Sequence, residues 1–106
     1  MIYCFDLDNT LCDTKQNSDG TMDYMGASPF EDRIALVNSL YNDGNTIYIE
    51  TARGSGSGID WFLQTKNQLD GWGVKYHQLR TGIKFPADIF IDDKGISDKD
   101  FFNKFV

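Results

Sequence analysis

Cysteine and histidine are scarce in this sequence, which contains two cysteines and one histidine among 106 residues. Cys4 lies in an apolar run and is predicted to be a core residue, while a disulfide with Cys12 is disfavoured in a reducing compartment. His77 has no Cys or His partner and is not expected to bind a metal. The chain opens on that apolar run without a basic leader, so a cytoplasmic location is expected.

Positive charge is also in deficit, because 10 Lys and Arg residues face 16 Asp and Glu residues and the net charge is −6. A nucleic-acid coat protein or a membrane-surface binder needs a concentrated basic face. Neither a nucleic acid nor a membrane is therefore expected as a partner, whereas a homo-oligomer is left open. Carboxylates gathered around a divalent cation would themselves contribute to this negative total.

The length of the chain excludes a second domain, since a protein of this size buries only about two-thirds of its unfolded surface. Hydrophobic residues make up 41% of the chain and aromatic residues 14%, which is enough for a packed core. There is no repeat, linker or low-complexity tract. We therefore expect residues 1–106 to form a single globular domain.

Strand-like segments recur along the chain. Apolar and β-branched runs predict buried strands over residues 1–7, 46–50, 74–79 and 87–91. The polar stretch over residues 12–28 predicts a loop or a short hairpin. Its Met22, Tyr24 and Met25 are candidates to cover a neighbouring part of the structure.

Helices are predicted between these strands from capping signals and apolar spacing. Ser28, Pro29 and Glu31 are typical of an N-cap, a first-turn proline and a capping-box acid, and Gly44 ends that helix. A second helix, with a capping box at Ser57, runs to about residue 70. Its inward residues are predicted to be Ile59, Phe62, Leu63 and Leu69. The Phe-rich residues 98–106 indicate a terminal helical turn or a docked tail.

The alternation of strands and helices predicts an α/β fold of three layers, with a Rossmann-like parallel sheet between helices. Such sheets bind ligands beyond the carboxyl ends of their strands. The candidate site residues fall there: Asp6 and Asp8 follow the first predicted strand, Thr51 the second, and Asp92 and Asp93 the fourth.

Asp6, Asp8 and Asp92 of this set are carboxylates whose negative charges are expected to lie close together. Asp6 and Asp8 are two residues apart in an extended segment, so both side chains project toward the same side. Two like charges about 4 Å apart repel by roughly 4 kcal/mol at an effective dielectric near 20, and Asp92 adds to this repulsion. The arrangement calls for a hard cation. Without His or Cys nearby, such carboxylates favour Mg²⁺, which we expect as the cofactor.

Residues 6–10, of sequence DLDNT, resemble the D-x-D-x-T signature of the haloacid dehalogenase-like phosphatases. Three further elements agree in order: Thr51 after an apolar strand, Lys84 in the place of the third motif, and Asp92 with Asp93 after another apolar run. The gaps between the motifs hold no cap domain. The resemblance is therefore to the small capless members, particularly those with a Thr-Ala-Arg-Gly second motif, which are associated with bacterial polysaccharide biosynthesis.

This resemblance implies a Mg²⁺-dependent phosphomonoesterase that works through an aspartyl-phosphate intermediate. Asp6 would be the nucleophile, and Asp8 the acid that protonates the leaving oxygen and later activates water. The metal would be held by Asp6, Asp8, through its main-chain carbonyl, and Asp92. Phosphate or substrate would be bound by Thr51, Ala52, Arg53 and Lys84, with Asn9, Thr10 and Asp93 in support. Two alternatives stay open: Lys94 in place of Lys84, and an outward salt bridge for Arg53.

The expected substrate is a phosphorylated sugar or a similar small metabolite, because the few basic residues suffice for one phosphate but not for a strand. The alternative enzyme is a phosphatase of nucleotides or polynucleotide ends, which a capless site would admit. A catalytically idle phosphoaccepting or binding module is the third reading. Receiver domains carry their acid pair and their phosphoacceptor in the opposite order, and the presence of both Asp6 and Asp8 argues against an idle version.

Overall fold

The main sheet has three parallel strands in a computed structural model of the chain, which describes residues 1–104. Over these residues the strands of both the main sheet and a small second sheet are β1 (Ile2–Phe5), β2 (Cys12–Asp13), β3 (Ser28–Pro29), β4 (Thr46–Thr51) and β5 (Gln78–Thr81). The helices are α1 (Glu31–Asn42), α2 (Phe62–Gly71) and α3 (Asp98–Asn103). The order in the main sheet is β1-β4-β5. The chain is thus a small α/β domain with a parallel sheet flanked by helices, as the sequence predicts at that level.

The predicted hairpin within residues 12–28 is present, because β2 and β3 pair in antiparallel fashion. This pairing also moves the start of α1. Ser28 and Pro29 lie in β3 opposite Asp13 and Cys12, so they cannot form the first turn of a helix. The predicted N-cap is therefore wrong: α1 begins at Glu31 after an extended Phe30 that makes no side-chain cap.

One hydrophobic core lies against a single face of the sheet. Phe5 and Ile49 are neighbours across β1 and β4, and both are buried together with Ile34 and Val37 of α1 and Leu69 of α2. α3 closes the core, as its Phe102 stacks on Phe5 with ring centroids 6.1 Å apart. The predicted docking of a Phe-rich terminal helix is confirmed over Asp98–Asn103, and residues 105–106 of that prediction lie outside the described residues.

The opposite face of the sheet is open. Side chains alternate along a strand, so Cys4, Tyr48 and Gln78, which are neighbours across the sheet, point away from the core. Cys4 and Gln78 are exposed and Tyr48 is half-buried. The prediction of three layers is wrong for the part of the chain that the structure describes, and Cys4 is a surface residue rather than a core residue.

Residues 87–91 are the clearest departure from the sequence prediction. They form no strand, and Ile89, Phe90 and Ile91 are exposed. In the part of the chain that the structure describes, β1 is consequently an edge strand, and its partner is β4. The third predicted strand is displaced rather than absent, since pairing with β4 is made by Gln78–Thr81 instead of residues 74–79. Within residues 1–104, no helix is long and apolar enough to cross a membrane.

The buried face of α2 also differs from the prediction. Thr65 and Leu69 are its buried residues, whereas Phe62 and Leu63 are exposed, as is Ile59 before the helix. The helix starts at Phe62, whose amide donates to the Asp60 carboxylate at 2.9 Å. Its inward face is partly polar because it meets a buried arginine, described below, rather than an apolar surface.

We predict that Leu69→Ala destabilises the protein by about 2–5 kcal/mol, because it leaves a cavity in the core. Leu63→Ala on the same helix is the matched control, since it changes the helix propensity equally but affects a residue that is 67% exposed. We expect it to lower the free energy of unfolding by about 0.5 kcal/mol or less. Urea unfolding of both variants measures the difference. Equal losses would contradict the orientation of α2.

Candidate active site

The carboxyl ends of β1, β4 and β5 lie at one edge of the sheet, because the three strands are parallel. Asp6 and Asp8 follow β1 directly, Thr51 is the last residue of β4, and Lys84 comes shortly after β5. The structure therefore brings four of the predicted site residues to this edge.

Asp8 is held by a two-pronged ion pair with Arg53. The Nε of Arg53 donates to Oδ2 of Asp8 at 3.0 Å, and its Nη2 donates to Oδ1 at 2.8 Å. The hydroxyl of Thr14 donates to Oδ1 as well, at 2.6 Å. Paired N–H donors fix both the position and the rotation of a carboxylate. Asp8 is thus a fixed group, and only 18% of its side chain is exposed.

The side chain of Arg53 is fully buried. Its Nη1 donates to Gln68 at 2.8 Å and lies 3.3 Å from acceptors on Gln64 and Thr65. The ring of Tyr24 covers the guanidinium at 4.6 Å. The outward salt bridge considered for Arg53 is not formed, because the guanidinium is buried and paired with Asp8. Tyr24 also shows that part of the hairpin covers this site.

Two backbone turns position these groups. Asn9 has a φ of 62°, a left-handed conformation that Asn tolerates better than most residues, and its side chain accepts a bond from the Thr14 amide at 3.2 Å. Gly54 has a φ of 87°, and a Cβ there would collide with the main-chain oxygen of Ile59. Asn9 therefore turns the chain after Asp8, and Gly54 turns it after Arg53.

Asp6 is the more open of the two carboxylates, with 40% of its side chain exposed. The Lys84 ammonium lies 3.2 Å from Oδ1, and the Thr10 hydroxyl donates to Oδ2 at 3.4 Å. Lys84 also lies 4.8 Å from the centre of the Phe90 ring. Of the two candidate lysines, the structure places Lys84 at Asp6.

Thr51 and Ala52 lie in the turn that leads to Arg53. Thr51 is buried, and its hydroxyl accepts a bond from the Arg53 amide at 3.3 Å. The Ala52 carbonyl accepts one from the Ser55 amide at 2.8 Å. The Ser55 hydroxyl is buried and has no hydrogen-bond partner within residues 1–104. A polar group of this kind is available to a ligand that enters the turn.

Asp92 and Asp93 are exposed on the loop before α3. The Lys94 amide donates to Asp92 at 2.7 Å and, as the largest cause, lowers the pKa of that carboxyl. No group of three or more His, Cys, Asp or Glu residues suited to a metal occurs among residues 1–104.

Several residues of the site escape sequence reasoning. Thr14 and Tyr24 reach Asp8 and Arg53 only because the hairpin folds back, and no local pattern signals that contact. Gln64 and Gln68 are four apart on α2, a spacing that marks one polar stripe and could have indicated a buried polar partner. Cys12 is buried beside Asp8, and burial raises the pKa of its thiol to about 11.

Comparison with known proteins supports the fold. A crystal structure of an MCSG target from Vibrio cholerae is similar over 95% of this chain and 86% of that one, with a TM-score of 0.78 and 25% sequence identity. No family model and no curated protein matches the sequence. The name of the solved protein states no activity, so the likeness bears on architecture.

We predict that Arg53→Met destabilises the protein by about 3 kcal/mol, because it leaves a largely buried Asp8 without its partner. Arg80→Met, at an exposed arginine on β5, is the control and should change stability by about 0.5 kcal/mol or less. Asp8→Asn combined with Arg53→Met should recover part of the loss. The measurement is the free energy of unfolding in urea, and equal values for the two arginine variants would refute the buried pair.

Proposed function

We propose that this chain is a phosphomonoesterase of the haloacid dehalogenase-like type, without a cap domain, that forms an aspartyl-phosphate on Asp6. The observation that carries the proposal is the environment of Asp6. It is a half-exposed carboxylate beyond the end of a parallel strand, with a lysine at 3.2 Å and a second, fixed carboxylate two residues later. The resemblance of residues 6–10 to the D-x-D-x-T signature supports the same conclusion.

The first step is the attack of an Asp6 oxygen on phosphorus, with cleavage of the bond to the leaving oxygen. Lys84 already touches Asp6, so its ammonium is placed to neutralise charge on an entering phosphoryl group. Such neutralisation and in-line positioning account for most of the catalysis of phosphoryl transfer. Water then cleaves the aspartyl-phosphate, which releases inorganic phosphate and restores Asp6.

Asp8 is assigned the proton transfers. It would give a proton to the leaving oxygen in the first step and take one from the attacking water in the second. Both of its oxygens accept bonds from Arg53 in the structure. The proton transfers therefore require the Asp8 side chain to turn from Arg53 toward Asp6, and the paired arrangement is the resting one.

Mg²⁺, which the family resemblance implies, fits the described residues only in part. Asp6 offers a hard oxygen ligand, but residues 1–104 hold no group of three or more His, Cys, Asp or Glu side chains suited to a metal. When bound, the metal would stabilise negative charge on the phosphoryl oxygens. Asp6, the main-chain carbonyl of Asp8 and Asp92 are the groups that would hold it.

A small phosphorylated metabolite, such as a sugar phosphate, is the substrate class that the charges favour. Arg53 is occupied by Asp8, and Lys84 is the cation that contacts Asp6 in the described chain. One lysine suffices for a single phosphate, whereas a polynucleotide track needs several cations.

We predict that Asp6→Asn abolishes turnover but leaves the fold intact, because the amide keeps the shape and loses the nucleophile. The assay compares kcat/KM on sugar phosphates, mononucleotides and phosphorylated oligonucleotides, with circular dichroism as the fold control. Asp19→Asn, at an exposed hairpin residue, should retain full activity. Wild-type turnover by a folded Asp6→Asn protein would refute the aspartyl-phosphate mechanism. A preference for oligonucleotide ends would refute the proposed substrate class.

We also predict that Mg²⁺ raises the Tm and is required for turnover, because it would bind only the folded arrangement of Asp6 and Asp92. Melting in chelator and in excess Mg²⁺ measures the shift. The shift should disappear in Asp92→Asn and persist in Asp19→Asn. Full activity in chelator without any shift would remove the metal from the proposal.

A further inference from the structure

Arg33 lies near the start of α1 and joins two parts of the chain that are far apart in sequence. Its Nη1 donates to the Asp98 carboxylate of α3 at 2.7 Å and to the Thr10 main-chain oxygen at 3.0 Å. Only 19% of the Arg33 side chain is exposed. One nitrogen atom thus connects α3 to the turn that follows the D-x-D segment, in a place where water screens the contact only in part.

Two aromatic rings hold the Arg33 guanidinium. Its Cζ lies 4.6 Å from the centre of the Phe102 ring and 5.2 Å from the centre of the Phe30 ring. Phe102 is buried and stacks on Phe5 of β1. An arginine that is already held by aromatic faces and an ion pair loses little further freedom when it donates another bond. Arg33 is therefore a preorganised donor whose position depends on the docking of α3.

The turn that Arg33 contacts also contacts Asp6. The amides of Thr10 and Leu11 both donate to the Leu7 carbonyl, at 3.1 and 2.8 Å. From this turn the Thr10 hydroxyl donates to Oδ2 of Asp6 at 3.4 Å. The contacts form a continuous chain that leads from α3 through Arg33 and Thr10 to Asp6.

The orientation of Asp6 depends on few groups. Asp8 is held by N–H and O–H donors at 2.6–3.0 Å, whereas the hydrogen bonds to the Asp6 carboxylate within residues 1–104 come from Lys84 and Thr10. In the proposed reaction Lys84 turns to the entering phosphoryl group. Thr10 is then the group that keeps the Asp6 oxygen in line with phosphorus, and a displacement of about 1 Å at such a position can cost about a hundredfold in rate.

We propose that Arg33 is a positioning residue for Asp6 and that α3 controls the nucleophile through it. With α3 docked, Asp98 holds Arg33, and Arg33 holds the Thr10 main chain. The Thr10 hydroxyl then orients the attacking carboxylate. Loss of this link would slow the chemical step without removing any group that touches the substrate. The role in catalysis rests on the proposed function, whereas the structural link from α3 to the turn does not.

The first test is the steady-state kinetics of Arg33→Met, which keeps the apolar stem and removes the donors. We expect kcat and kcat/KM to fall together by about tenfold, with KM within about twofold of the wild type, because only the chemical step loses its alignment. Lys66→Met is the matched control, since it breaks an ion pair of similar length on α2, to Asp70 at 2.8 Å, and should leave both constants unchanged.

Wild-type kcat in a folded Arg33→Met protein would overturn the proposal, with the folded fraction measured by circular dichroism. If Arg33→Met does not fold, Asp98→Asn takes its place and Asp100→Asn is its control. The two carboxylates lie in the same first turn of α3, and Asp98 is the one that pairs with Arg33. Equal kcat values for these two variants would likewise overturn the proposal.

The second test separates positioning from a general loss of structure. Arg33→Met is combined with Thr10→Val, which lacks the hydroxyl, and with Thr10→Ser, which retains it. In the Thr10→Val protein the further loss of kcat should be less than about twofold, because the last bond of the chain is already absent. In the Thr10→Ser protein the loss of about tenfold should remain. The same loss in both proteins would show that Arg33 acts through the fold as a whole, which contradicts positioning.

The third test needs no activity. Hydrogen exchange of the Thr10 and Leu11 amides, measured by NMR relative to the amides of β4, reports how often the turn opens. Asp98→Asn should speed this exchange by about tenfold, whereas Asp100→Asn, at an exposed residue, should not. Equal exchange in both variants would refute the link between α3 and the turn. An inactive wild type would fail the proposed function, while the exchange rates would still decide that link.

Discussion

The ion pair between Arg53 and Asp8 is the interaction on which the rest of this site depends. A guanidinium with no exposed surface is stable only where protein acceptors replace its water, and here they come from the end of β1 and from α2. Tyr24 of the hairpin closes the third side. One side chain thereby fixes the strand, the helix and the hairpin relative to one another, and it explains why α2 buries Thr65 and orients Gln68 inward instead of presenting an apolar stripe.

The same pair separates the two acids of the D-x-D segment. Their repulsion predicts one shared cation, yet the structure gives each carboxylate its own: Arg53 for Asp8 and Lys84 for Asp6. Charge repulsion alone therefore does not require a metal in the resting arrangement. The difference in exposure agrees with the proposed role of Asp6, since it is the carboxylate that is open to an entering phosphoryl group.

Local patterns predict the parts of the fold that depend on local physics. The alternating β-branched residues predicted β4, Gly44 predicted the end of α1, and the Phe pair of residues 101–102 indicated a docked helix. The wrong predictions share another cause: Ile59, Phe62 and Leu63 are apolar but exposed, and residues 87–91 have the pattern of a strand but pair with no strand of residues 1–104. The apolar character of a side chain predicts that burial stabilises it, but it does not predict which surface will bury it. Within the site, Asp6 and Lys84 were placed correctly at one edge, while Thr14 and Tyr24 required the hairpin.

The open sheet face and the exposed apolar side chains of residues 83–96 agree with the small size of the chain. A domain of this length has a large surface relative to its volume, so packing all of its helices on one face of the sheet leaves the other face exposed. Larger enzymes solve this with a second layer of helices or a cap.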